Sequence, residues 1–174
     1  MKITDLRVFH TSGGHANWIF VKLYTDEGIT GVGESTMERH DAVIIQALES
    51  FKDFLIGQDA HQIEYIWNSL YKQTFWYGQL ICLAALSGIE QALWDIKGQA
   101  LGVPIHELLG GRLRNEVRVY SNAWAFQEVV TETKPEDTPE SVANRALDMV
   151  SQGFTAMKWD PFRNGGQVIS KSEE

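Results

Sequence analysis

The stretch from Leu80 to Gly111 limits the fold of this chain more than any other. LICLAALSGIEQALWDIKGQAL is apolar around most of its helical circumference. It therefore reads as a helix over Leu80–Leu101 that is enclosed on several sides rather than lying on a surface. Gly102 stops it, Pro104 starts a short turn over Ile105–Leu109, and Gly110-Gly111 release the chain. A helix of that kind needs other elements wrapped around it.

The preceding residues supply them. Ile3–Phe9 places Ile3, Leu6 and Val8 among polar neighbours and reads as a strand. Asn17–Tyr24 and Ile29–Ser35 flank Thr25-Asp26-Glu27-Gly28, whose glycine supplies the positive φ of a hairpin turn. These three segments predict an antiparallel sheet. Val43, Ile44, Ala47, Leu48, Phe51, Phe54 and Leu55 then recur at helical steps up to Gly57. Asp59 reads as the N-cap of a second helix carrying Ile63, Ile66, Trp67 and Leu70.

Gly110-Gly111 with Arg112–Asn115 marks a domain boundary, giving residues 1–112 and 113–174. Beyond it, Glu116–Trp124 reads as a strand, Val130–Pro139 as a polar loop, Ser141–Gln152 as a helix and Phe154–Asp160 as a second strand. Strand, helix, strand at this length is a βαβ unit, which requires parallel pairing and a right-handed crossover. Two parallel strands do not make a stable sheet, and a (β/α)8 barrel needs about 250 residues. The second part is thus expected to be the opening of a larger domain, or to dock onto something else. Lys171-Ser172-Glu173-Glu174 looks like the entry to a further helix.

Composition removes several classes of function. Asp and Glu outnumber Lys and Arg 23 to 15, for a net charge of −8, so no basic stripe exists to neutralise phosphates and nucleic acid is excluded as a partner. No apolar run approaches the roughly 20 residues needed to span a bilayer, and the N-terminus MKITDLRVFH has no signal-like apolar core. The single cysteine, Cys82, sits among Leu80, Ile81 and Leu83 and reads as a small core residue. A cytoplasmic location is expected. Gly110-Gly111 lacks the Lys-Ser/Thr of a phosphate cradle. His40, His61 and His106 fall at helix starts or turns and are assigned no role.

Ala84–Gly111 (AALSGIEQALWDIKGQALGVPIHELLGG) resembles, almost letter for letter, a segment of the mandelate racemase and muconate lactonizing branch of the enolase superfamily, and the hairpin DEGITGVGES agrees with it. The resemblance covers essentially the whole chain. It implies an α+β capping domain, a three-stranded antiparallel sheet plus helices, followed by the first βαβ of a (β/α)8 TIM-type barrel. It also implies a Mg²⁺-dependent enzyme that removes the proton beside a carboxylate, the ion stabilising the enediolate charge. In that family a Lys-x-Lys pair commonly ends the second barrel strand, and the matching residues here are Lys158-Trp159-Asp160. Lys158 matches the lysine near the substrate carboxylate, whereas Asp160 stands where relatives carry the base lysine. An ordinary carboxylate is a weak base. Either Asp160 is raised by burial, or it binds a substrate hydroxyl while a histidine from the opposite side takes the proton. From spacing alone, the two residues share one face of a strand and form an ion pair.

The resemblance places the metal ligands on later strands, beyond Glu174, and none in this chain. Glu90 and Asp95 point about 140° apart on a helix and suit capping, or pairing with Lys97 or Arg112, better than a shared metal. The loop Thr11–Ala16 matches one that folds over the barrel mouth in relatives, so His15 and Trp18 are expected to contact substrate. Trp76 and Tyr77, beside Phe75, either join them or pack in the core.

The resemblance, with its Lys158-Trp159-Asp160 variant, implies a lyase that dehydrates a sugar acid (an aldonate or aldarate). A racemase, epimerase or cycloisomerase of the same superfamily is the alternative. From a different class comes a non-catalytic fragment acting only in oligomer contact. The chain alone is expected to be inactive, its partners a small-molecule carboxylate and further copies of itself in a homo-oligomer.

Overall fold

In a computed structural model, residues 1–13, 16–73, 79–122, 124 and 138–159 are described. The chain divides into two compact units, Met1–Leu113 and Arg114–Glu174.

The first unit begins with three antiparallel strands in the order β1 (Ile3–Ser12), β2 (Asn17–Thr25) and β3 (Thr30–Glu34). β1 meets β2 from Ile3 opposite Thr25 to Ser12 opposite Asn17, with a bulge between Ile3 and Asp5. The β2–β3 turn forms as its sequence requires: Gly28 takes φ +82° and its N–H donates to the Thr25 carbonyl at 3.2 Å. Ile19, Val21 and Leu23 alternate inward along β2 and are fully buried.

Helices α1 (Asp41–Leu55), α2 (Ile63–Gln73) and α3 (Gln79–Leu101) follow, then the short α4 (Ile105–Leu108). The N-cap expected at Asp59 is not one. Its Oδ1 accepts from the His61 N–H at 3.1 Å, an Asx-type turn that ends before α2 begins. The core joins Leu6, Ile19, Val21 and Leu23 of the sheet to Ile44, Leu48, Leu55, Ile66 and Leu70 and to Leu86, Ile89, Leu93 and Ile96 of α3. The enclosure expected of α3 is therefore real.

α3 approaches β3 so closely that only glycines fit between them. A Cβ on Gly31 would lie 2.0 Å from the Ala92 carbonyl oxygen, and one on Gly33 would lie 1.9 Å from that of Gly88. At that range α3 side chains reach the outer edge of β3. Asp95 Oδ2 accepts the Val32 N–H at 2.9 Å and Gln91 Oε1 accepts the Glu34 N–H at 3.1 Å. Gln99 Nε2 donates to the Thr30 carbonyl at 2.8 Å. Three side chains one helical turn apart thus stand in for a fourth strand. Asp95 thus binds a strand amide, neither capping a helix end nor pairing with Lys97 or Arg112 through this oxygen. Glu90 instead receives the Trp94 indole N–H at 3.4 Å.

In the second unit the helix expected over Ser141–Gln152 is α5 (Pro139–Ser151). Thr138 caps it, its side chain accepting from the Ser141 N–H at 3.2 Å, with Pro139 in the first turn. The two flanking segments read as strands meet in a single parallel bridge, Ser121 opposite Met157. The pairing has the expected direction, and among the described residues it is shorter than expected. Among the described residues neither segment has a second neighbour, and parallel pairs hold poorly without flanking strands. Most of the loop expected over Val130–Pro139, and the helix entry at Lys171, lie outside the described residues.

Candidate functional site

Of the site residues singled out by sequence, the described ones, Lys158 and Trp18, fall one in each unit. In the second unit, the Ser121 N–H donates to the Ala156 carbonyl at 3.0 Å and the Lys158 N–H donates to the Ser121 carbonyl at 2.9 Å. The Ser121 hydroxyl donates to Met149 Sδ on α5 at 3.2 Å, so Ser121 faces the crossover helix. Residues opposite each other across a bridge share a face, and successive residues alternate. Met157 therefore lies on the α5 side, and Lys158 on the face turned away from that helix. Its side chain is exposed at the C-terminal end of its segment. That is the end where barrel proteins gather their functional groups.

Trp124 completes this end. Its indole N–H donates to the Lys158 carbonyl at 2.9 Å, and its ring lies 5.8 Å from that of Trp159, tilted by 58°. Asp160 lies outside the described residues. At the opposite, N-terminal end of the two segments, Arg118 donates to the Thr155 carbonyl and hydroxyl and lines a shallow hollow with Gly153 and Phe154.

In the first unit the site is the tip of the β1–β2 hairpin. Thr11 pairs with Trp18, and the Gly13 N–H donates to the Ala16 carbonyl at 2.7 Å. A Cβ on Gly13 would fall 1.4 Å from Trp18 Nε1. The Trp18 indole is thus folded across Gly13, against its own hairpin.

Two side chains of the same hairpin converge on Asp41, the first residue of α1. Asn17 Nδ2 donates to Asp41 Oδ2 at 2.6 Å, and His10 Nε2 lies 3.1 Å from the same oxygen. These bonds, Asn17 first and His10 after it, hold the Asp41 carboxyl below its usual range. Sequence reasoning missed this clasp because its partners lie 24 and 31 residues apart, a separation that leaves no periodic trace. His15, Phe75, Trp76 and Tyr77 lie outside the described residues.

Among the described residues no group of three or more His, Cys, Asp or Glu side chains could hold a metal ion. A divalent ion therefore finds no ligand set there. Cys82 is half-buried on α3 and burial pushes its thiol up, the opposite of an activated nucleophile. No helix among the described residues is long and apolar enough to cross a membrane.

Residues 3–110 match the family model described as mandelate racemase / muconate lactonizing enzyme, N-terminal domain. A D-galactonate dehydratase from Variovorax paradoxus is 46% identical over 121 residues, covering 70% of this chain and 31% of that protein. Another, from Xanthomonas axonopodis pv. citri, is 37% identical over 160 residues, covering 92% of this chain and 38% of that protein. The solved structure of an enolase from Pantoea ananatis with bound d-gluconate and Mg superposes with a TM-score of 0.73 at 31% identity, covering 90% of this chain and 35% of that one. The chain spans roughly a third of the length of the curated relatives it matches. With a three-stranded antiparallel sheet and its helices matched from residue 3 to residue 110, it belongs to the mandelate racemase / muconate lactonizing enzyme family of the enolase superfamily and carries that family's N-terminal capping domain.

Proposed function

We propose that the full-length protein is a Mg²⁺-dependent dehydratase of a sugar acid, an aldonate or aldarate. It removes the proton beside the carboxylate and expels the β-hydroxyl to give a 2-keto-3-deoxy acid. Residues 1–112 act as its cap and residues 113–174 open its barrel. The observation that carries this reading is the parallel Ser121–Met157 bridge, which turns Lys158 away from α5 at the C-terminal end of its segment. The identity with D-galactonate dehydratases over 160 residues, which extends past the cap, supports it.

In this reading the Lys158 ammonium pairs with the substrate carboxylate and steadies the negative charge that grows as the proton leaves. Asp160 serves as the base or holds a substrate hydroxyl. His15 and Trp18 contact the substrate, and Trp76 and Tyr77 are the further candidates for that contact. The described residues do not supply ligands for Mg²⁺, and its site is assigned to the length of the relatives that this chain does not span. The relative solved with bound d-gluconate and Mg supports the choice of metal. A homo-oligomer working in the cytoplasm completes the proposal.

The test is full-length protein assayed for 2-keto acids against a panel of sugar acids, with and without Mg²⁺, in deuterated water. Keto-acid formation that stops when the metal is chelated is expected. Deuterium entering recovered substrate without keto acid would favour a racemase, epimerase or cycloisomerase instead. Absence of both reactions on every acid tested would leave the non-catalytic reading. Lys158→Ala should lower kcat/KM by about 10²–10³-fold if its charge stabilises the transition state.

A further inference from the structure

Both main-chain polar atoms of Lys158 are tied to the first strand segment, but by different kinds of donor and acceptor. Its N–H goes to the Ser121 carbonyl, the second rung of the parallel bridge. The Lys158 carbonyl is held by a side chain of the same segment. The Trp124 indole N–H donates to it, at 2.9 Å. An indole is a single N–H donor in a rigid ring plane, so the bond holds the carbonyl in one direction. The ring is a rigid plate turning on two torsions and rests against Trp159.

We propose that Trp124 is a positioning residue for Lys158. By clamping the Lys158 carbonyl it fixes the main chain from which the ammonium group extends, at the mouth of the site. A lysine on an unclamped strand end would sample a wider range of positions, and a misplacement near 1 Å at a charge-stabilising group costs rate. The inference rests on Lys158 being the cation that meets the substrate carboxylate.

The decisive variant in the full-length enzyme is Trp124→Phe, which keeps an aromatic ring and deletes the N–H. It should lower kcat/KM by about 10- to 100-fold, with unchanged Mg²⁺ dependence. Hydrogen exchange at the Lys158 and Trp159 amides should speed up in the same protein. Trp124→His, whose ring retains an N–H, should recover part of the activity, and it serves as the test if the phenylalanine variant fails to fold.

The double variant separates positioning from mere support. If Trp124 acts through Lys158, Trp124→Phe adds little to the loss already caused by Lys158→Ala. An equal loss in both backgrounds, or no loss and no change in exchange in the Lys158 background, overturns the proposal and leaves the role of Lys158 standing. Full activity in Lys158→Ala overturns both together.

Discussion

Gly31 and Gly33 show how much one hydrogen atom in place of a methyl group decides here. Both sit under the backbone of α3, where any Cβ would collide with a carbonyl rather than with a movable side-chain tip. Gly33→Ala should destabilise the first unit by about 1–3 kcal/mol, the usual cost of overpacking, measured by urea denaturation. A neutral result would mean that α3 can back away. In the sequence these glycines were visible only as part of a hairpin. Their reason was hidden because the helix that needs them comes some 57 residues later. The same holds for the site. Lys158 was legible through a motif, whereas the Asp41 clasp and Trp124 depend on side chains meeting across tens of residues. Trp18 was legible as a strand residue next to the hairpin loop, but not its fold-back onto Gly13.

The helices were readable to within a turn because periodicity is a local property, and their ends were read less well. α5 begins two residues earlier than its apolar spacing suggests, since Thr138 and Pro139 set its start by capping rather than by hydrophobicity. Thr138→Ala should cost about 1 kcal/mol, seen as a lower midpoint for the second unit in the full-length protein. α3 makes the sharper case. Ile89 is fully buried on it, so Ile89→Ala should cost about 2–5 kcal/mol. Gln91→Ala with Asp95→Ala should cost less, about 0.5–1.5 kcal/mol for each bond lost at this partly exposed edge. Its signature is local: faster amide exchange at Val32 and Glu34 and nowhere else in β2 or β3. Protection that survives the double change would show that another group holds those amides.

The two units differ in what holds them. Among the described residues, every member of the buried core, from Ile3 to Ile96, belongs to the first, while α5 buries no residue and Val117, Val119 and Leu147 stand 74%, 65% and 66% exposed. Residues 1–113 expressed alone should therefore unfold in one cooperative transition, and residues 114–174 alone should show none; calorimetry distinguishes them. Acid should act on the first unit through its low-lying carboxyls. Asp5 is held down by Lys52 and then Arg7, Asp41 by Asn17 and then His10, and Asp59 by the His61 N–H. A depressed folded pKa adds stability above the unfolded value, near 3.9, and that stability drains away as pH falls through the lower folded value. Asp5→Asn should thus weaken the unit at pH 6 and flatten its loss of stability below pH 4. An unchanged slope would place the acid sensitivity elsewhere.

The side chains that seal β3 also restrict how copies of this protein can assemble. Since Gln91, Asp95 and Gln99 already occupy the amides and carbonyl that a visiting chain would need, one subunit cannot extend its sheet into the next through that strand without first peeling off the helix at the centre of its own core. Any pairing between copies would have to use surfaces other than this border, and a fibril seeded from it would have to start from a partly unfolded molecule.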